Sequence, residues 1–181
     1  AIAHMPDCDG GDSDTTGAYT QAELGGEETW ISLPRNRWPK GKGWDNMEDP
    51  VVLLRLSLYG HPKTGLYWEQ HARKAIFACA FQPVKGWECL YKHVEKQLLL
   101  SIYVDDFRMA GKRCNIDPMW KALGKHLDLD PPVSLNGSVY LGCRQRETKP
   151  CQEILESKFQ LSHEIFPEHE KKDKPVSAGG D

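Results

Sequence analysis

The sequence lacks several features that would identify a common class of site. No stretch approaches the ~20 consecutive apolar residues of a transmembrane helix. The six cysteines are scattered without a Cys-x-x-Cys pair, which argues against a zinc site and favours reduced thiols in an intracellular protein. The net charge is −3, so any nucleic-acid binding needs a local basic patch, because the chain has no overall basic field.

Composition divides the chain into three expected parts. With 181 residues and 39% apolar content, the chain is long enough for one domain with a core, which we expect over residues 14–166. Residues 1–13 are rich in Asp and Gly and are expected to be a flexible N-terminal segment. Residues 167–181, charged and then rich in small residues, are expected to be a flexible tail. The chain begins without methionine and is expected to be part of a longer protein.

The centre of the chain predicts a β-hairpin with two acids at its tip. Residues 98–104 have the length and branching of a buried strand, and residues 107–110 form a shorter returning strand. Asp105 and Asp106 lie between them. Adjacent carboxylates repel and burial adds a desolvation cost, and bound divalent cations relieve both. A solvated Asp-Asp turn has the same sequence, so the hairpin alone does not distinguish a metal site from a solvated turn.

The remaining pattern predicts short strands and two main helices. Strands are expected at 28–33, 51–56, 89–92, 138–146 and 151–155, and helices at 64–80, 116–127 and 157–166. Asn115 or Asp117 would cap the second helix, with Pro118 in its first turn. These elements predict an α+β fold whose antiparallel sheet has its helices packed on one face and leaves the other face free for a ligand.

The acidic hairpin tip is one of four motifs that follow one another along the chain. Residues 103–106 read Tyr-Val-Asp-Asp. Residues 14–19 begin with an acid, with a small residue four positions later and an aromatic residue directly after it. Residues 57–60 read Ser-Leu-Tyr-Gly, and residues 140–142 read Tyr-Leu-Gly. In this order the motifs resemble those of the reverse transcriptases of copia-type long-terminal-repeat retrotransposons.

The resemblance implies a polymerase palm-like sheet with a partial fingers insertion within residues 14–166. It implies two-metal nucleotidyl transfer, with Asp14 and Asp105 as ligands of two Mg²⁺ ions and Asp106 as an auxiliary ligand. Carboxylate oxygens are the hard ligands that Mg²⁺ prefers, and Mn²⁺ is a possible substitute. The strand that ends at Asp14 must then lie beside the acidic hairpin.

The resemblance also implies substrates and partners. The implied substrate-binding residues are Tyr19, Tyr59, Gly60, Lys63 and Tyr103, and the implied primer grip is Tyr140, Leu141 and Gly142. Tyr19 would lie under the nucleotide sugar and exclude a ribose 2′-hydroxyl, although a core tyrosine on a helix explains the same letter. The implied partners are an RNA or DNA template–primer, deoxynucleoside triphosphates, and the integrase and RNase H parts of a polyprotein. No membrane partner is expected, and the protein is expected in a cytoplasmic particle or the nucleus.

Two alternatives remain open. The first is a catalytically inactive retroelement remnant, or a domain that binds nucleic acid or protein. The second is a metal-dependent hydrolase that uses Asp14, Asp105 and Asp106 on a different fold. Because this chain contains only some of the substrate-holding parts of the enzymes that it resembles, we expect the isolated chain to polymerise poorly or not at all.

Overall fold

The computed structural model describes residues 2–145 of the chain. Its elements in chain order are β1 (Cys8–Asp14), α1 (Ala18–Gln21), β2 (Trp30–Ser32), β3 (Val51–Leu53), α2 (Thr64–Ala78), β4 (Gln82–Pro83), β5 (Leu90–His93), β6 (Leu98–Tyr103), β7 (Asp106–Lys112), α3 (Arg113–Leu123), β8 (Val133–Ser134), β9 (Val139–Tyr140) and β10 (Cys143–Arg144). The chain divides into two compact units. Unit 1 comprises the residues up to Thr16 and those from Ala75 onward, and unit 2 is Gly17–Lys74.

Unit 1 is built on a six-stranded sheet of order β4-β5-β6-β7-β1-β8. All its pairings are antiparallel. The mixed helix and antiparallel-sheet composition confirms the predicted α+β class. The predicted hairpin is also present, with Tyr103 opposite Asp106. Its turn is Val104–Asp105, so Asp106 is the first residue of β7, whereas both acids were expected at the tip. A strict alternation of buried and half-buried side chains along β7 shows that one face of the sheet forms the core.

Strand β1, which lies between β7 and the edge strand β8, corrects the expectation of a flexible segment. Residues 8–13 are strand, and the expected boundary between residues 13 and 14 falls inside β1. Both glycines of the strand are buried between two layers. A Cβ on Gly10 would meet Leu135, and one on Gly11 would lie 3.0 Å from the Val133 carbonyl oxygen. These glycines allow neighbouring residues to pack closely against the strand, whereas the glycine-rich composition alone suggests a loop.

Helix α3 packs on the core face as its periodicity predicts. Ile116, Met119, Trp120 and Leu123 are its buried residues. The helix begins at Arg113, because β7 runs directly into it, so Pro118 lies in its interior and not in its first turn. Neither expected cap residue serves: the N-cap position is Lys112, and Asn115 donates a hydrogen bond to the Lys96 carbonyl oxygen instead.

The face opposite α3 is less open than predicted. Within unit 1, α3 and the end of α2 lie on the core face, where Trp120 approaches Gly11 and Phe77 packs against Tyr91. On the other face, Ile2, in a 3₁₀ turn, packs on Leu99 and Ala110. The helix-free face is therefore partly covered, and it is accessible at the end of the sheet that carries Asp14 and Tyr103, whose side chains are exposed.

The predicted strand at 138–146 is a hairpin. β9 and β10 pair with each other in a separate two-stranded sheet, and a two-residue turn joins them. Both turn residues have positive φ, 49° at Leu141 and 74° at Gly142, which is the geometry of a tight hairpin turn. The residues expected to form a strand at 151–155, a helix at 157–166 and a tail at 167–181 lie outside the described residues.

Unit 2 contains α1, most of α2 and a two-stranded ribbon. β2 pairs antiparallel with β3, so both predicted strands are present but shorter than expected. At the start of α2, the Thr64 hydroxyl donates a hydrogen bond of 2.7 Å to the Leu58 carbonyl oxygen. In the part of the chain that the structure describes, no helix is long and apolar enough to cross a membrane. The five cysteines described there are all free thiols.

Candidate functional site

Two of the three predicted acids are cross-strand partners. The register of β1 and β7 places Asp14 opposite Asp106, and Tyr103 lies opposite Asp106 on its other side. Directly opposed residues of antiparallel strands point to the same face, so the three side chains form one row at the end of the sheet. The Thr15 amide also donates to the Asp105 carbonyl oxygen at 2.9 Å. The strand ending at Asp14 therefore lies beside the acidic hairpin, as the proposed chemistry requires.

The electrostatics of this row are those of crowded carboxylates. The pKa of Asp106 is raised above its usual range, first by burial and then by the negative charges of Asp14 and Asp105. A hydrogen bond to the Asp14 side chain raises it further, because that bond requires a proton between the two carboxyl groups. A cation bound at this end of the sheet would relieve the same repulsion.

The donor chemistry fits Mg²⁺, although a complete cage is not preformed. Asp14 is exposed, and Asp105 and Asp106 are half-buried, so hard carboxylate oxygens are accessible to a cation. Within residues 2–145, no three His, Cys, Asp or Glu side chains are placed so as to hold a metal ion together. The backbone partner of Asp14 is Asp106, whereas the resemblance pairs Asp14 chiefly with Asp105.

A loop after α3 fixes the end of β1, and sequence reasoning missed it. The Asp130 amide donates to the Asp14 carbonyl oxygen at 2.8 Å. The Ser13 hydroxyl donates to the Asp130 carbonyl oxygen at 2.7 Å, and the Thr16 hydroxyl donates to the Asp130 carboxylate at 2.9 Å. These bonds span more than a hundred residues of sequence, so no local pattern indicates them.

A second row of polar side chains lies behind the acids and was also missed. Asp12, Arg108 and Ser101 are opposite one another on β1, β7 and β6. Arg108 binds Asp12 through two hydrogen bonds, Nε to Oδ1 and Nη2 to Oδ2, each 2.7 Å long. The sequence signal is spacing: Asp12 is two positions from Asp14, and Arg108 is two positions from Asp106, so each lies on the same face of its strand as an acid of the first row, formed by Asp14, Asp106 and Tyr103. This spacing becomes informative once the register is known.

The predicted primer-grip residues lie in the β9–β10 hairpin. Tyr140 packs beneath the guanidinium of Arg108, whose Cζ is 3.8 Å from the ring centroid. Leu141 and Gly142 form the exposed turn beyond it. Tyr140 therefore contacts the second row of the sheet, and the hairpin turn is available for a ligand.

The remaining predicted substrate residues belong to unit 2. Tyr19 and Tyr59 contact each other edge to face, with ring centroids 4.5 Å apart. Tyr19 is half-buried on α1, and Tyr59 is 66% exposed. Gly60 has a φ of 92° in the adjacent turn, and Lys63 is exposed. Four residues implied to contact substrate thus belong to this unit, and two of them form an aromatic pair.

Fold and site together define an α+β domain with an acidic cluster where its central strands end. No family model matches the chain, and no solved structure matches it significantly. Over 103 residues, 56% of this chain, it is 28% identical to the Transposon Ty1-DR4 Gag-Pol polyprotein and to the Transposon TyH3 Gag-Pol polyprotein of Saccharomyces cerevisiae. The Truncated transposon Ty1-A Gag-Pol polyprotein of the same species is equally similar. The matched segment spans 6%, 5% and 8% of these relatives, respectively, so the chain resembles a small part of transposon polyproteins.

Proposed function

We propose that this chain is part of a copia-type retrotransposon polyprotein and carries the catalytic acids of an RNA-directed DNA polymerase. The observation that carries the proposal is the cross-strand pairing of Asp14 with Asp106, next to Asp105. These acids come from distant segments whose motifs resemble two palm motifs in the expected order. Similarity to transposon Gag-Pol polyproteins supports the same origin.

In the proposed reaction, Asp14, Asp105 and Asp106 would hold the Mg²⁺ ions. Bound divalent cations would lower the pKa of an attacking hydroxyl and neutralise the charge of the pyrophosphate that leaves from the triphosphate. The protein's own contribution is to present hard oxygens at the open end of the sheet and to hold Asp14 in place through the Asp130 loop. Tyr103, 59% exposed in the same row, would contact the substrate beside the acids.

The proposed partners are a template–primer and deoxynucleoside triphosphates. The exposed Leu141–Gly142 turn would contact the primer strand. Within unit 2, the exposed Tyr59 ring, packed edge to face with Tyr19, offers an aromatic contact to a nucleotide sugar or base, and exposed Lys63 offers a positive charge to phosphate. The other parts of the polyprotein would supply integrase and RNase H functions.

A titration with Mn²⁺ followed by nucleotide tests the proposal. We expect the chain to bind Mn²⁺ and then a deoxynucleoside triphosphate, as measured by electron paramagnetic resonance and fluorescence. Asp14→Asn should weaken Mn²⁺ binding at least about tenfold, because one ligand charge is lost. Asp117→Asn, which neutralises an exposed acid on α3, is the matched control and should leave binding unchanged. Equal Mn²⁺ affinity in the wild type and Asp14→Asn would exclude a metal site at this row.

Primer extension on an RNA template is the second test. We expect weak or no extension by the isolated chain, and any extension that occurs should disappear in Asp105→Asn. Metal binding without nucleotide binding would favour the hydrolase instead. Binding of neither would favour an inactive remnant or a binding domain, an alternative consistent with the incomplete metal cage among residues 2–145.

A further inference from the structure

The β9–β10 hairpin is held on the sheet by side chains. Among residues 2–145, its two strands pair with each other and with no strand of the six-stranded sheet. Side-chain contacts connect it to the second polar row, formed by Asp12, Arg108 and Ser101. The Ser138 hydroxyl donates to Asp12 Oδ2 at 2.7 Å, the Tyr140 hydroxyl lies 3.4 Å from the Ser101 hydroxyl, and the Tyr140 ring lies against Arg108.

Arg108 joins Asp12 of the sheet to Tyr140 of the hairpin. Its guanidinium binds both oxygens of Asp12 and at the same time covers the Tyr140 ring, with its side chain 22% exposed. A planar guanidinium can form a two-pronged ion pair and stack on an aromatic ring, whereas a lysine ammonium is a point charge that can do neither as well. The residue type therefore fits a double role.

The ion pair also keeps Asp12 away from the first row. Asp12 is 5% exposed and accepts hydrogen bonds from Arg108 Nε, from Arg108 Nη2 and from Ser138. Both of its oxygens are engaged, so it does not compete with Asp14 and Asp106 for a cation. Removing the guanidinium would leave a buried carboxylate without its charge partner, which is strongly unfavourable.

The distance between the two rows sets where the hairpin lies. Residues two positions apart on a strand are separated by about 7 Å, so the Asp12–Arg108 row is one step behind Asp14 and Asp106. Tyr140 is fixed to that second row, and the exposed Leu141–Gly142 turn follows it directly. A nucleic-acid strand bound by the turn would thereby lie at a defined distance from the acids.

We propose that Arg108 is a positioning residue that holds the β9–β10 hairpin, through Asp12 and Tyr140, at the distance from the acidic row at which a primer strand must lie. Its effect on the hairpin depends only on the contacts above, and its effect on primer placement rests on the proposed function. Arg108 is expected to act through Tyr140 without touching the reacting atoms.

Hydrogen exchange of the full chain, followed by mass spectrometry, tests the structural part. Arg108→Met should accelerate exchange of the amides of residues 139–144 at least about tenfold relative to those of β6 and β7. Arg108→Lys, which keeps the charge, should restore part of the protection. Arg113→Met is the control: this arginine, at the start of α3, is largely exposed, and its side chain contacts Asp9 at 3.4 Å and the Cys8 carbonyl oxygen at 3.5 Å, both on β1. The hairpin of this variant should therefore exchange as in the wild type.

Tyr140→Leu covers the case in which Arg108→Met does not fold. This variant leaves the Asp12–Arg108 pair intact and removes the ring, so it should accelerate exchange of the same residues, whereas Tyr140→Phe should not. Unchanged hairpin exchange in Tyr140→Leu and Arg108→Lys would overturn the proposal. A uniform increase across all of unit 1 would overturn it equally, because it would indicate general destabilisation.

Binding measurements separate this inference from the proposed function. With a DNA primer on an RNA template, Arg108→Met or Tyr140→Leu should raise the dissociation constant at least about tenfold and leave Mn²⁺ affinity within about twofold of the wild type. If hydrogen exchange of the hairpin changes but primer binding does not, Arg108 holds the hairpin on the sheet but does not position the primer. Absence of primer binding by the wild type would contradict the proposed function and, with it, the primer part of this inference.

Discussion

At the scale of single residues, glycine has the most specific structural role in this chain. Gly10 and Gly11 allow layers on both sides to approach β1, and Gly111 allows β7 to pass closely over the end of β6. Gly111 has a φ of 148°, in the range that side chains disfavour. These positions explain why a glycine-rich sequence forms the middle of a sheet.

Replacing Gly111 by alanine should destabilise unit 1. The added Cβ would overlap the carbonyl oxygen of Gln97, and the backbone conformation is unfavourable for alanine. We expect a loss of roughly 2 kcal/mol or more in the free energy of unfolding, measured by urea titration. Gly65→Ala is the control, since nothing lies within 4 Å of the new Cβ and the residue is in α2. That variant should gain up to about 1 kcal/mol. Equal effects of the two substitutions would contradict this account.

At the scale of elements, local patterns predicted those strands and helices whose apolar residues recur with the regular spacing of a strand or of a helix. The apolar run and its return predicted the β6–β7 hairpin, and three- and four-residue spacing predicted α3. Local patterns did not predict the elements whose structure depends on residues distant in the sequence. β1 is a strand because β7, β8 and Trp120 enclose it, and Pro118 is tolerated inside α3 because the core packing of the helix outweighs its local preference.

The turn of the β9–β10 hairpin offers a prediction at this scale. Leu141 is 50% exposed with a φ of 49°, a conformation that asparagine tolerates better than leucine. Leu141→Asn should therefore slow hydrogen exchange of residues 139–144 by a few-fold. If the turn contacts the primer, the same substitution should weaken primer–template binding. Val94→Asn, which changes an exposed apolar residue in another turn, should do neither. Faster exchange in Leu141→Asn would contradict the prediction.

At the scale of the whole molecule, the meeting of the acids depends on register across the sheet. The motif order predicted that Asp14 would lie beside the hairpin, and the structure places it there. Neither the Arg108–Asp12 pair nor the Asp130 loop could be predicted, because each joins residues about a hundred positions apart, and nothing local specifies which residues face each other. The sequence thus indicated the acids, but not the ion pair and the loop that fix the strands carrying them.

Stability should depend on pH through Asp106. Its pKa is raised in the folded state, so the native protein binds this proton more tightly than the unfolded chain. The resulting stability is fully present below the usual aspartate pKa of about 3.9 and is lost as the pH rises through the raised folded value. Asp106→Asn should therefore be more stable than the wild type at neutral pH without divalent cations. The difference should vanish at acid pH.

Urea unfolding in the presence of a chelator, at several pH values, measures this difference. Asp117→Asn, which removes the charge of an exposed acid on α3 outside the acidic row, is the control for the loss of one negative charge. Added Mg²⁺ should narrow the gap by stabilising the wild type alone. A constant advantage of Asp106→Asn at every pH would mean that carboxylate crowding is not the cause.

The position of β1 between β7 and β8 has a consequence for synthesis on the ribosome. The strand is translated well before both of its neighbours, β7 and β8. The β5–β6–β7 meander and α3 join segments adjacent in sequence and can form early, whereas closing β1 onto them requires a long loop. Nascent chains that stop before β7 therefore carry Asp14 without its partner, and the acidic row is assembled only when the final insertion completes the sheet.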